Sequence, residues 1–571
     1  MEALRSTQLG ALPPNESSEL CPQVPALLPV RHAGIAKALD SLYARDDYKL
    51  NAYGVLGGAV QIPTESYDDL GPVGIDPRWD VFAKFHDYLE RTFPTMQSIS
   101  FSTLEVTKVN TYGIVLRWEG SDPFLYPVLI TAHQDVVPVD PATEKDWVHP
   151  PYSGYYDGTW IWGRGSGDDK ADLIASLQYN LTDGCRHALS ALLEQGFKPT
   201  RTFVWAFGFD EEASGMEGAG QLAKYLEREF GRDGFAILLD EGGEHYYGMP
   251  YGDDVIFATP SLAEKGYIDV RIEVTAKGGH SSVPPPHTAI GVLSAMVVAL
   301  EAHPHPAVLE RGGSPYNSTM CAATYGSTFP EDIRQLAFKA AAQSFDSDDS
   351  GISGSTDVLE ELKSALIRAY PVYDAVLRTT QAVDLISGGV KVNALPELAA
   401  AVVNHRIAQH SGLVDVQAHV KNVILPVAAQ FNLTMDAFGY WEPAGDGSGG
   451  HVRLSDSWDS GLLPSPVTPT GPEDPYQILA GTIKATLQSA EGYDTRGVVV
   501  APQLALGNTD TQFYWDLTKN IIRYSHLSDK DLYNGLHTVN EAVRAEGWIQ
   551  SIRFYTRFIL NCDEHLRLGN F

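Results

Sequence analysis

Three short apolar runs constrain this chain more than anything else in it: "YPVLITAH" (126–133), "RTFVWAFGFDEE" (201–212) and "FAILLDE" (235–241). Each is brief, rich in β-branched or aromatic residues, and continuously apolar rather than alternating. Strands covered on both faces of a parallel sheet have that character. Helical patterns separate the runs, notably "ADLIASLQYNLTDGCRHALSALLEQG" (171–196), so βαβ units and an α/β sheet are expected. The runs also end alike. The first finishes on His133, followed by Asp135; the second on Asp210, Glu211 and Glu212; the third on Asp240 and Glu241. Open parallel sheets bind ligands beyond the carboxyl ends of their strands, so these side chains are expected to share one crevice.

A fourth stretch, "WIWGRGSGDDKAD" (160–172), sets Asp168 beside Asp169 after a glycine-rich turn. Alone it reads as a solvated acidic loop. Together with the strand ends it supplies one imidazole and several carboxylates to one place. Such nitrogen and oxygen donors without cysteine suit a divalent metal, with zinc, cobalt or manganese favoured over calcium.

A chain of 571 residues exceeds one compact core, so two or more domains are expected. Residues 1–80, rich in Pro, Gly and polar groups, read as an irregular N-terminal arm. The α/β domain takes 81–264 and 461–571. Between them, 265–460 reads as an insertion: strand "KGYIDVRIEVTAKGG", helix "HTAIGVLSAMVVALEAH", a strand pair in "GVKVNALPELAAAVVNHRIA", helix "LVDVQAHVKNVILPVAAQF" and strand "LTMDAF". That βαββαβ order is a ferredoxin-like α+β layer. The segment "SFDSDDSGISGSTD" (344–357) reads as a mobile loop.

The net charge of −31 excludes nucleic acid and anionic membranes as partners, since both attract basic surfaces. No run of about 18 apolar residues spans a bilayer. The N-terminal "MEALRSTQLGALPPNESSEL" has no apolar signal core, so a targeting segment was either removed or never there. The acidity and four glycosylation sequons, at Asn15, Asn180, Asn317 and Asn432, point to a secreted or vacuolar glycoprotein. Cys21, Cys185, Cys321 and Cys562 lack metal-ligand spacing, which leaves one or two disulfides or buried thiols.

The motifs "HQDVVPV", "GRGSGDDK", "DEEASG", "LLDEGG", "GGHSS" and "GLHTVNE" resemble, in order and spacing over roughly 80–560, those of the carboxypeptidase S group. That group belongs to the di-zinc metallopeptidase family that also holds aminoacylases and glutamate carboxypeptidases. The resemblance fails at the N-terminal arm and around 325–385, where the inserted layer is enlarged. It implies two zinc ions per chain, with cobalt or manganese as substitutes. His133 and Asp240 would hold one and Glu212 and His537 the other, with Asp168 bridging. Two cations about 3.5–4 Å apart need a shared carboxylate, and the pair then activates water. Asp169, in this family often joined to Asp168 by a cis bond, would support from behind. Asp135 would orient the His133 imidazole.

By the same resemblance Glu211 is the general base, taking a proton from water and passing it to the leaving amine. His280, on the glycine turn of "GGHSS", would stabilise the tetrahedral oxyanion. Arg406, with Asn393, would clamp a free α-carboxylate, a task for a guanidinium fork. "GNTDTQFYW" (507–515) corresponds to a substrate loop. The implied activity is hydrolysis of the C-terminal peptide bond of small peptides. An N-acyl amino acid hydrolase with the same metals and clamp is the alternative. A metal aminopeptidase would not need a layer carrying His280 and Arg406, and a non-catalytic metal-binding module would not need Glu211. A nucleotide site at "GRGSG" is disfavoured by the acidic residues after it. In many relatives the small domain pairs in a dimer that supplies the histidine in trans. The helical pattern "DVLEELKSALIRAYPVYDAVL" (357–377) is expected to cover that surface, favouring a monomer that closes in cis.

Overall fold

The computed structural model describes residues 18–93, 104–177, 192, 195–247, 255–343, 355–490 and 497–569. Asn15, Asn180, Cys185, most of the pattern at 178–194 and most of the loop at 344–357 lie outside them.

The three apolar runs form adjacent parallel strands. An eight-stranded sheet runs in the order Leu104–Val109, Gly113–Trp118, Phe203–Gly208, Val128–His133, Ile237–Asp240, Ile521–Arg523, Ser261–Glu264, Gln503–Ala505. The four strands from Phe203–Gly208 to Ile521–Arg523 are mutually parallel; those beginning at Leu104 and Gly113 are antiparallel additions. The runs are apolar throughout because alternate residues serve opposite faces. Phe203, Trp205, Phe207, Val128 and Ile130 face a core built with helices Asp46–Val60, Lys170–Leu177, Tyr476–Gln488 and Ala545–His565. Val204, Ala206 and Leu129 face a second core with Leu222 and Leu226 of helix Ala219–Phe230.

Between strands Ser261–Glu264 and Gln503–Ala505 the chain forms a second, six-stranded sheet: Ala382–Gly388, Leu398–Ile407, Gly266–Thr275, Gly450–Asp456, Leu433–Ala437, Tyr440–Glu442. The strand Gly266–Thr275 alternates buried and half-buried residues, as a one-faced strand should. Helices Ala289–Glu301 and Leu413–Gln430 cover its apolar face through Val292, Leu293, Met296, Val416, Val420 and Ile424. The expected strand pair at 389–408 is shifted: its first strand lies at Ala382–Gly388, and 389–397 is the connection.

Two expectations need correction. The arm is not irregular over its length, because it contains helices Ala33–Tyr43 and Asp46–Val60, with Leu39, Tyr43, Tyr48 and Leu56 in the main core. Its glycines had suggested looseness. At Gly57, however, an added Cβ would lie 2.4 Å from the carbonyl oxygen of Gly154, so glycine permits close approach of two backbones. The enlargement, likewise, does not cover the six-stranded sheet. Helices Ser314–Tyr325, Glu331–Ala342, Ser355–Ala369 and Val372–Leu377 form their own core with Phe257, Val499, Ala501 and Cys21 on the main body. A disulfide joins Cys21 to Cys321, and Cys562 is a buried thiol. The edge strand Ala382–Gly388 stays exposed, as do Val390 and Val392 after it. Among the described residues no helix is long and apolar enough to cross a membrane.

Candidate metal centre

The acidic strand ends meet at one rim of the main sheet. His133 closes its strand and is buried, and its Nε2 lies 3.0 Å from Asp168 Oδ1 and 3.4 Å from Glu241 Oε1. The other oxygen of Asp168 lies 3.0 Å from Nε2 of His537, which is also 3.1 Å from Glu212 Oε1. Asp168 therefore faces one imidazole with each oxygen. Three overlapping groups have donor atoms close enough to share a metal: His133–Asp168–Glu241, Asp168–Glu212–His537 and His133–Glu211–Glu212.

Asp135 ties the strand ends together. Its Oδ1 sits 3.2 Å from His133 Nδ1 and accepts the Glu211 amide, while Oδ2 accepts the Glu212 amide and the Ser66 hydroxyl. That arrangement fixes the imidazole with Nε2 outward and sets the Glu211–Ala213 turn beside it. The peptide between Asp168 and Asp169 is cis, and Asp169 turns away to accept the His133 amide at 3.2 Å.

The electrostatics favour a cation. Burial, then Glu241, pushes the Glu211 carboxyl well up; burial, then Asp168, pushes Glu241 up to about 8. Burial and neighbouring acids raise Asp169 and Glu212 as well. Only Asp168 is held low: burial pushes it up, and the imidazoles of His133 and His537 outweigh that. Hydrogen bonds donated by His537 to the carboxylates of Asp168 and Glu212 raise it to about 10. Carboxylates packed this closely out of water cannot all ionise without positive charge among them. The donor set thus fits the metals that the sequence implies.

The structure brings Glu241, not Asp240, to His133. Asp240 is the last residue of its strand, buried, and its Oδ1 takes the Thr131 hydroxyl at 2.6 Å. Glu241 follows it, at the first position free to turn into the crevice. Glu541 is a second residue that the motifs contained without revealing its part. Its Oε1 accepts the amides of Gly165 and Gly167 at 3.0 Å each, and its Oε2 pairs with Arg164, which shapes the turn carrying Asp168. The only advance signal was its place closing "GLHTVNE".

The second sheet supplies the remaining expected residues. Arg406, half-buried on Leu398–Ile407, donates from Nη1 to Asn508 Oδ1 at 3.0 Å, and among the described residues no carboxylate pairs with it. Asn508 belongs to the 507–515 loop, which Thr509 and Thr511 anchor to the buried Glu264–Arg523 ion pair. His280 is exposed on its turn, bonded to Ser282 and bridged to Ala394; none of the three metal groups includes it. Asn393, also exposed, accepts the Ser281 amide through its carbonyl.

Relatives match along nearly the whole chain. Carboxypeptidase S of Saccharomyces cerevisiae is 37% identical over 533 residues, 92% of this chain and 87% of its own. The N-fatty-acyl-amino acid synthase/hydrolase PM20D1 of Mus musculus is 30% identical over 512 residues, 89% and 87% of the two chains. The solved structure of human carnosine dipeptidase 1 superposes with a TM-score of 0.58 at 14% identity, covering 94% of this chain and all of the other, which shows a shared fold. The model of Peptidase family M20/M25/M40 matches residues 129–561, the span that holds every residue of the centre, and the chain belongs to that family.

Proposed function

We propose that this hydrolase is a two-metal carboxypeptidase that removes the C-terminal residue of small peptides. The observation that carries the reading is Asp168 presenting one oxygen to the His133–Glu241 group and the other to the Glu212–His537 group. His133 and Glu241 would hold one divalent cation, Glu212 and His537 the second, and Asp168 both. Glu241 takes the place that the sequence reading gave to Asp240. Zinc is the metal the donor set suits best. Bound there, the cations would supply Lewis acidity and a water acidic enough to ionise near neutral pH.

The chain's own residues supply the rest. Glu211, set beside the centre by the hydrogen bond its backbone N–H donates to Asp135, removes a proton from the attacking water and delivers it to the departing amine. Asp135 keeps His133 and Glu211 in register. Arg406, with no carboxylate partner among the described residues, holds the substrate's C-terminal carboxylate, with Asn393 assisting from the connection before the Leu398–Ile407 strand. His280 stabilises the oxyanion once the inserted layer closes over the substrate. The family resemblance and the identity to yeast carboxypeptidase S support peptides as substrates. The identity to the N-fatty-acyl-amino acid synthase/hydrolase supports N-acyl amino acids as a second class, because both present the same carboxylate beside the scissile amide. A vacuolar or extracellular home agrees with the net charge of −31, the disulfide and the exposed sequon at Asn432.

The test is an N-blocked dipeptide beside its C-terminal amide. Amidation leaves the half-buried Arg406 without its partner, which costs less than the roughly 2–5 kcal/mol of a fully buried pair, so kcat/KM should fall by an order of magnitude or more. Equal hydrolysis of acid and amide refutes the clamp.

A further inference from the structure

The buried carboxylate of Asp135 has four side-chain and amide partners, two on each oxygen. Oδ1 faces His133 Nδ1 at 3.2 Å and accepts the Glu211 amide at 3.1 Å. Oδ2 accepts the Glu212 amide at 3.1 Å and the Ser66 hydroxyl at 2.6 Å. An ionised carboxylate offers about four lone-pair sites, so this one is fully used. Three of the partners come from the strand ends that carry the metal centre. The fourth comes from the N-terminal arm, outside the residues 129–561 that the family model matches. It is also the shortest, in the range of a hydroxyl bonded to a charged oxygen.

The backbone puts Ser66 there. A parallel bridge pairs Glu65 with Val136, directly after Asp135. The Val136 amide donates to the Thr64 carbonyl at 2.9 Å, and the Ser66 amide to the Val136 carbonyl at 3.2 Å. The Thr64 hydroxyl adds a bond to the Gln134 carbonyl at 2.7 Å. Just upstream, the buried Lys170 donates from Nζ to the carbonyls of Ala59 and Ile62, at 3.1 and 2.7 Å. Lys170 stands two residues after Asp168. The arm is therefore stitched both to the segment bearing His133 and to the turn bearing Asp168. Thr64 and Ser66 are equally buried, yet Thr64 holds a backbone carbonyl, whereas Ser66 holds the carboxylate behind the centre.

We infer that Ser66 is a positioning residue of the metal centre: through Asp135 it fixes the His133 imidazole and the turn that bears Glu211 and Glu212. The inference rests on the two-metal reading proposed above. With the hydroxyl in place, the Asp135 carboxylate turns about its Cβ–Cγ bond only by breaking a charge-assisted bond away from water. Without it, Oδ2 keeps a single donor and the carboxylate tilts more easily from His133 Nδ1. The imidazole then loses the partner that keeps Nε2 directed at the centre. Partners behind a metal ligand are worth about 10–100-fold in metal affinity. None of the three metal groups includes Ser66 itself, so its influence passes through Asp135.

The experiment compares wild type with Ser66→Ala and Thr64→Val. Each variant removes one buried hydroxyl from the same short segment, but only the first removes a bond to Asp135. Zinc affinity is read by competition with a chelating dye of known affinity, and the melting temperature of the metal-free protein is read beside it. Both variants should melt lower than wild type. Zinc binding should weaken about 10–100-fold in Ser66→Ala and by less than about 3-fold in Thr64→Val. A change below about 3-fold in Ser66→Ala overturns the inference. Equal weakening in the two variants also overturns it, because the segment would then be a general support for the strand. The two-metal reading fails separately: wild type itself would then bind fewer than two zinc ions per chain.

Discussion

The main sheet and the inserted sheet each bury a cluster of ionisable side chains, and the two are opposite in kind. At the rim of the main sheet, Asp168, Glu211, Glu212 and Glu241 crowd around two imidazoles. Under the inserted sheet, His305 meets His405 edge-on, with ring centres 5.5 Å apart, and meets His419 at a tilt, with ring centres 3.9 Å apart. Burial, followed by its histidine neighbours and Arg378, pushes His305 down to about 3; burial lowers His405 to about 4. Among the described residues, Nε2 of both is buried without a hydrogen-bond partner. The first cluster ionises fully only with positive charge among its carboxylates; the second is stable only while neutral. A crowd of charges that needs outside help marks a site, whereas a crowd that neutralises itself marks packing.

Metal removal is the sharpest test of that contrast and should have the largest effect. Chelation should abolish hydrolysis, and about two equivalents of zinc or cobalt per chain should restore it. Full activity in a metal-free preparation would erase the distinction between the clusters. Next in size is Glu211→Gln, which should keep both metals and lose about 10²–10⁴ in kcat, read by steady-state kinetics with metal analysis on the same sample. Near-normal turnover would move the base elsewhere.

Asp240 and Glu241 separate ligand from support. Glu241→Ala should lose one metal equivalent. Asp240→Asn should keep both and weaken affinity by about 10–100-fold, as a change behind the ligands does. The opposite pattern would return the ligand role to Asp240. The smallest effect is expected in the inserted layer. Folded His305 and His405 titrate below their unfolded value, so their neutral packing contributes fully above about pH 6.5. As pH falls from there toward about 4, the unfolded chain binds the extra protons and stability declines. His405→Gln should flatten the acid side of a plot of melting temperature against pH. An unchanged slope would show that the cluster opens before it titrates.

The same comparison explains what could be read in advance. Residues ending parallel strands, such as His133 and Glu212, were legible because the sheet's geometry sends them to one rim; Asp168, after a glycine turn, and His537, marked only by the family resemblance, lie with them there. Which of two consecutive acids enters the crevice was not legible. It depends on where the strand stops, and here Asp240 is its last residue and Glu241 the first beyond. Glu541 reaches backbone amides more than 370 residues away in sequence, a relation no local pattern encodes. Composition misled at the arm, where glycines mark tight helix contacts, and at the enlargement, whose helical pattern was plain but whose docking surface was not.

The Cys21–Cys321 bond closes a covalent ring of the chain. His133, Asp168, Glu211, Glu212, Glu241 and His280 lie within the ring; Arg406 and His537 lie on the tail that leaves it. A single protease cut anywhere between the two cysteines opens the ring but releases no fragment, so the nicked molecule keeps its full mass until a reductant is added. A cut in the tail before His537 severs the covalent link between the ring and one metal ligand at once, and a cut before Arg406 severs the carboxylate clamp as well. The same number of cleavages therefore has unequal consequences on the two sides of residue 321, and reducing and non-reducing gels of a partly digested sample should disagree only for cuts on the ring side.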